Sequence, residues 1–352
     1  MDLNERIRIN DKKIASEKLA ELVRKIKPFI KKVTNKLEHP TFFEIITAIA
    51  FNYFANKNLD LVILETGMGG RLDATNVVDS LISVITNVGL DHTEYLGDTI
   101  EEIAKEKAGI IKGKQKVLTA AQKFTALKII REKAAEEKAE LININQKYSW
   151  KKQDFTHKYQ CFNLKGPVRN LNNLKLSLLG RFQITNAVLA IAVIEELNHI
   201  FYVSENNIRN SLKNISWPGR LEVVNDKPLV ILDGSHNLEG IKNLTKEINS
   251  FEYNKLIVII SIFEDKDIKN MMKELEKTGD YFILTQNSSK RAAKTELLEK
   301  YITADKKAVI KNNLESALNY ALDISKEDDL ILITGSLHNV TELRDKFIGG
   351  NN

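Results

Sequence analysis

Residues 61–76 read LVILETGMGGRLDATN. The apolar run 61–65 predicts a β-strand, and it passes directly into a loop with three glycines in four positions, Gly67, Gly69 and Gly70. Glycine reaches backbone conformations closed to other residues and lets a ligand approach the main chain. Arg71 and Asp73 bring opposite charges to the carboxyl end of that strand, the edge at which open parallel sheets bind ligands. A glycine-rich turn carrying a surface ion pair accounts for the same residues equally well, so the loop takes its meaning from what surrounds it.

Outward from the loop, short apolar runs at 81–86 and 117–119 alternate with helix-like stretches at 42–56 and 100–111. This rhythm predicts a parallel sheet with crossover helices. Residues 155–179 break it with short alternating pieces, which predicts a small antiparallel addition, and 186–198 returns to an apolar helix. Ser216-Trp217-Pro218-Gly219 holds two turn formers in succession and marks a domain boundary and hinge. Beyond it, strands at 229–232, 256–260, 281–284, 308–310 and 330–333 alternate with helices at 238–250, 268–277, 314–323 and from 340 onward. That is a second, smaller α/β domain of doubly wound type.

The 352 residues are 43% hydrophobic and 28% charged, the balance of a globular chain long enough for two domains. The formal net charge is +5, yet Lys and Arg alternate with Glu and Asp, as in EKAAEEKAE, the pattern of solvated helix faces. Nucleic-acid binding calls for a one-sided basic stripe with interleaved aromatics, which the sequence lacks. The single cysteine, Cys161, excludes an intramolecular disulfide framework and a cysteine-rich metal site, and is expected to pack as a small buried hydrophobe. The opening MDLNERIRINDKK is charged, and no apolar run approaches the roughly 18 residues of a membrane span. A soluble, cytoplasmic monomer acting on small molecules, without nucleic acid or membrane, is expected.

The segment after the 81–86 run, NVGLDHTEYLG, places Asp91 and His92 at the same predicted sheet edge as Glu65. Glu65 offers the hard oxygen that Mg²⁺ prefers, and His92 is a less usual ligand for that ion. In EEIAKEKAGIIKGK, Lys105 and Lys107 read as solvated lysines on a helix ending at Gly109. A lysine beside a divalent cation can instead react with carbon dioxide to give an anionic carbamate. WPGRLE and LDGSHN bring Arg220, Asp233, His236 and Asn237 near the hinge, with the following helix N-terminus suited to an anion. Ser235 between Asp233 and His236 invites a hydrolase reading, which the absence of a GxSxG elbow argues against.

Eight stretches in order resemble folylpolyglutamate synthase and dihydrofolate synthase, the folate branch of the Mur ligase family. They are NERIRIN at Asn4, TFFEIITAIAF at Thr41, ETGMGGRLDATNVV at Glu65, ITNVGLDHTEYLGDTIEEIAKEKAGIIK at Ile85, LLGRFQITNA at Leu178, WPGRLEVV at Trp217, ILDGSHN at Ile231 and LITGSLHNVTELR at Leu332. The resemblance implies an α/β fold: a Mur-ligase-like central domain, an incomplete parallel sheet with helices, plus a smaller doubly wound α/β C-terminal domain. Residues 1–217 would bind ATP and Mg²⁺, and 218–352 would be the glutamate-ligase domain. The implied reaction uses ATP to turn a pteroyl or folate carboxylate into an acyl phosphate, from which the amine of L-glutamate displaces phosphate.

By the same resemblance, Glu65 and His92 bind Mg²⁺ and Lys107 is the carbamylated lysine. Asn186, Arg220 and Asp233 contact ATP, and Lys107, His92, Arg220 and His236 are catalytic. Thr41, Phe42, Phe43 and Glu44 line the pterin-bearing substrate together with Leu72, Asp73 and Ala74. Glu65, His92, Lys107, Arg220 and Asp233 are expected to face one cleft between the domains. In the family a phosphate loop, roughly GTNGKGS, precedes NERIRIN, which here begins at residue 4. A strand, loop and helix of roughly 30 residues are therefore expected to be missing, and with them most ligase activity. A non-catalytic folate- or nucleotide-binding descendant and a cell-wall Mur-type peptide ligase are the alternatives.

Overall fold

The computed structural model describes residues 3–348. They divide into two compact units, one running to Val117 and including Ala121–Leu141, the other made of Leu118–Ala120 and the chain from Ile142 onward.

The first unit opens with a hairpin of β1 (Arg8–Ile9) and β2 (Lys12–Lys13), whose turn residues Asn10 and Asp11 take φ of 48° and 63°. Asn and Asp are among the side chains that best tolerate this left-handed region. α1 (Ser16–Thr34) packs on α2 (Phe42–Ala55) through Leu19, Leu22 and Ile26 against Ile46 and Ile49, the stripe that a helical period creates. Thr41 and Glu44 form a capping box at the start of α2, satisfying amides that the helix itself cannot. There follow β3 (Ile82–Ile85), α3 (Thr93–Leu96), α4 (Ile100–Ala108), β4 (Lys116–Thr119), α5 (Phe124–Glu136) and β5 (Glu140–Asn143), the strands ordered β3-β4-β5, with the last two residues of β4 and of β5 counted in the second unit. Ile85, Val88, Ile103, Ala108, Val117 and Ile130 belong to one buried cluster.

Residues 61–65 do not form the strand that their composition predicts. They carry no strand assignment, and Leu61, Val62 and Ile63 are exposed, Ile63 at 87%. A strand is completed by its neighbour, because only a ladder satisfies its backbone polar groups away from water. Apolar composition without such a partner leaves the segment unpaired, and Glu65 consequently lies on irregular chain.

The second unit begins with α6 (Ile144–Lys147) and an antiparallel sheet of β6 (Ser149–Phe155), β7 (Gln160–Lys165) and β8 (Asn170–Leu176). This is the antiparallel addition expected at 155–179, starting six residues earlier, at Ser149. Cys161 is buried within it as a free thiol. α7 (Arg181–Glu196) and α8 (Glu205–Asn214) lead to β9 (Glu222–Asp226), β10 (Leu229–Leu232), α9 (Leu238–Ile248), β11 (Leu256–Ile260) and α10 (Ile268–Glu276). β12 (Tyr281–Leu284), α11 (Thr295–Glu299), β13 (Lys307–Ile310), α12 (Leu314–Ile324), β14 (Leu330–Thr334) and α13 (Leu337–Ile348) complete the chain's described part.

The six-stranded sheet runs β13-β12-β11-β14-β10-β9, parallel except for the edge strand β9. Alternate residues serve opposite faces. Ile231, Val258, Ile260 and Leu332 pack with Ile241, Leu244 and Met271 of α9 and α10, while Val230, Ile257, Ile259 and Ile333 pack with Leu318 and Leu343 of α12 and α13. Burial on both faces explains why these strands read as unbroken apolar runs. Among the described residues no helix is long and apolar enough to cross a membrane.

Candidate active site

In the first unit, three segments converge on a cavity of about 190 Å³. Thr66, Gly67, Met68 and Gly69 form one wall, Gly89, Asp91 and His92 another, and Lys107 closes it from the last turn of α4. His92 stands before α3 with φ 52° and ψ 39°, a left-handed conformation uncommon for a side chain with a Cβ and found disproportionately at functional sites. Glu65 is exposed one residue before the Thr66 wall and does not itself line the cavity. Lys105 does not line it either: its ammonium pairs with Glu101 at 2.8 Å on a solvated helix face.

The glycine loop is wired to itself. Asp73 accepts the amides of Gly67 and Met68 on Oδ2 at 2.9 and 3.1 Å, and the amide and hydroxyl of Thr75 on Oδ1 at 2.9 and 2.6 Å. The amide of Arg71 goes to the carbonyl of Glu106 and that of Asp73 to Gly70. The amides of Gly67, Met68, Arg71 and Asp73 are spent on the protein itself and are not free to cradle a phosphate. Arg71 is likewise engaged, donating Nε and Nη2 to Glu106 Oε1 at 3.0 and 2.9 Å.

Of the residues expected around the pterin, Thr41 and Glu44 are occupied with capping α2. Phe43 packs against the loop so closely that a Cβ on Gly67 would lie 2.6 Å from its Cζ. Phe42 and Leu72 are exposed, and Ala74 opens a 3₁₀ turn capped by Asp73.

In the second unit, WPGRLE and LDGSHN are tied together. Asp233, only 4% exposed, accepts the amide of Leu221 on Oδ2 and that of Ser235 on Oδ1, while Gly234 donates to the Gly219 carbonyl. Burial pushes the Asp233 carboxyl above the usual carboxylate range, against the pull of these hydrogen bonds and of Arg220. Half-buried Arg220 reaches the Gly219 carbonyl with Nη1 at 3.3 Å. His236 places Nδ1 at 3.0 Å from the Gly234 carbonyl; a carbonyl only accepts, so Nδ1 carries the proton. Asp233 is bonded to Ser235 and Leu221 and not to His236, so the three residues do not form the Asp–His–Ser relay of a hydrolase. Asn237 caps α9 through the Gly240 amide, and Asn186 is exposed on α7, bonded to Gln183.

Among the described residues no three His, Cys, Asp or Glu side chains gather as a metal site. Mg²⁺ typically takes one or two protein carboxylates and completes its shell with water and substrate phosphate; Asp91 and His92 line the cavity, whereas Glu65 lies outside its lining. Sequence reasoning did not single out Gly89, Ile103 or Glu106. Glu106 is separated from Arg71 by 35 residues, so no local period announces the pair.

Residues 14–194 match the Mur ligase middle domain and residues 219–337 the glutamate ligase domain of Mur ligases. The chain is 36% identical over 355 residues to a dihydrofolate synthase/folylpolyglutamate synthase of Bacillus subtilis, covering 97% of this chain and 81% of that protein. It is similar to the solved structure of Escherichia coli FolC in complex with DHPP and ADP, with TM-score 0.88 and 27% identity over 100% of this chain and 80% of that one. A Yersinia pestis folylpolyglutamate synthase/dihydrofolate synthase complexed with AMPPNP and Mn ion gives TM-score 0.86 and 28% identity, covering 98% and 79% of the two chains. This chain therefore belongs to the folylpolyglutamate synthase/dihydrofolate synthase family of Mur ligases.

Proposed function

We propose that the chain attaches L-glutamate to the carboxylate of a pteroyl or folate substrate, at the expense of ATP and through an acyl phosphate. The observation that carries the reading is the convergence of the glycine loop, the segment after β3 and the end of α4 on one cavity holding His92 and Lys107. ATP with Mg²⁺ supplies the phosphoryl group that activates the carboxylate, and the electrostatic work is to bring two anions together. Glu65 and His92 hold the metal, and Lys107, carbamylated, presents an anion toward it.

Residues 1–217 serve as the ATP- and Mg²⁺-binding domain and 218–352 as the glutamate-ligase domain. Asn186 and Arg220 contact the nucleotide, with Asp233 acting through the turn that presents Arg220. His236, protonated on Nδ1, keeps Nε2 available to the reacting groups. Phe42 and Leu72 offer exposed apolar surface to a flat pterin, and Asp73 shapes that wall by gathering the loop amides.

Phosphate release with ATP, Mg²⁺, L-glutamate and a pteroyl acceptor tests this. With the family's phosphate-loop segment restored ahead of Asn4, Lys107→Ala should lose at least about 100-fold in turnover, the scale seen when one preorganised electrostatic group is removed, and added bicarbonate should not restore it. Lys105→Ala should stay within about 2-fold, because an exposed ion pair contributes little. Full turnover by Lys107→Ala would remove that lysine from the site.

A further inference from the structure

We infer that Glu106 is a positioning residue: with Arg71 it clamps the glycine loop to the last turn of α4, so that the wall at 67–70 and Lys107 keep one geometry. The side-chain contact is a two-donor one, Nε and Nη2 of Arg71 on a single carboxylate oxygen at 3.0 and 2.9 Å. A second contact is between backbones, the Arg71 amide on the Glu106 carbonyl at 2.8 Å, one of the acceptors a helix end leaves without a regular partner. Two glycines make the approach possible. A Cβ on Gly70 would lie 2.7 Å from the Glu106 carbonyl oxygen, and one on Gly109 would lie 2.4 Å from the Arg71 Cβ. Asn76 completes the joint, its Nδ2 bridging the carbonyls of Arg71 and Gly109 at 3.1 and 3.0 Å.

Consecutive helical residues point about 100° apart. Glu106, held toward the loop, therefore separates Lys105, turned to Glu101 in solvent, from Lys107, turned into the cavity wall. Among the described residues Glu106 is the α4 side chain hydrogen-bonded to a side chain of the loop, and the pair lies outside the expected set of catalytic, metal and substrate residues.

The functional meaning of the clamp rests on the proposed role of Lys107, but its existence is tested apart from activity. Hydrogen exchange is followed by mass spectrometry in the intact chain and in Glu106→Gln, Arg71→Ala and Arg71→Lys. Lysines are labelled in parallel with limiting acetic anhydride, Lys105 serving as internal reference for Lys107. Glu106→Gln and Arg71→Ala should speed exchange several-fold in peptides covering 66–74 and 104–110 together, leaving the α1–α2 pair unchanged. The Lys107:Lys105 labelling ratio should rise several-fold in both. Arg71→Lys keeps the charge but loses the planar fork, and should recover part of the effect. An unchanged ratio with unchanged exchange in Glu106→Gln would overturn the clamp, and so would exchange rising evenly over the whole unit. Full turnover by Lys107→Ala would instead sink the reading of the site while leaving the clamp intact.

Discussion

Asp233 receives the backbone amide of Leu221 at 3.0 Å, closing the end of β10 onto a turn in which Leu221 itself takes φ of 47°. The contact makes the buried carboxylate a brace for the Arg220 turn, and its protonation then matters to stability. Burial raises the native pKa of Asp233 above its ordinary 3.8, so the folded chain holds the proton more tightly than the unfolded one. Its contribution is complete below the unfolded value and is lost as pH rises through the native value. Asparagine cannot titrate. The stability of the wild-type chain minus that of Asp233→Asn should therefore be greatest at the acid end and fall with rising pH. Chemical denaturation from about pH 3 to about pH 7, spanning the carboxylate range, reads this directly. A difference that grew with pH would mean that the hydrogen bonds outweigh burial.

The contact of Phe43 with Gly67 predicts a mutational coupling. Gly67→Ala would drive a methyl to within 2.6 Å of the Phe43 ring, and overpacking of this kind costs about 1–3 kcal/mol. Phe43→Ala in the same chain should return part of that loss, since the two residues share one contact. Denaturation of both single variants and the double variant measures the coupling. Strict additivity would show that the ring moves aside freely.

Tyr148 donates to Glu195 Oε2 at 2.7 Å in a buried setting, with Arg169 Nε 3.9 Å from the other oxygen. Burial, the largest influence, pushes the Glu195 carboxyl up, and the phenol partly offsets it. Tyr148→Phe leaves the carboxyl without that donor and should cost about 1.5–3 kcal/mol, the range for hydrogen bonds to charged groups. Adding Glu195→Gln should recover some of this, because a neutral amide is cheaper to leave unpaired. The shift of the urea midpoint decides, and a Tyr148→Phe chain as stable as the wild type would exclude the bond from the stability of the fold.

The doubly wound C-terminal domain was legible because its central strands are unbroken apolar runs and its longer helices are amphipathic. The predicted boundaries at 256–260 and 281–284 coincide with β11 and β12. The polar-edged strand β9, EVVND, and the short helix α11 escaped because neither carries a periodic signal of its own. Hydrophobic period is a property of neighbours along the chain, and the sequence alone determines it. Family membership was determined in the same way, by the order of motifs.

What only the tertiary structure decided are the relations with no local period. Residues 61–65 have the composition of a strand, yet a strand exists only through a ladder partner, and the segment carries no strand assignment. Asp73 reads as a substrate-lining residue in the sequence, and only the fold shows that it also gathers the amides of its own loop and that Arg71 pairs with Glu106, 35 residues away. Whether a polar group is free for a ligand depends on which donors and acceptors folding brings to it. That is settled by through-space distance, which residue order does not encode.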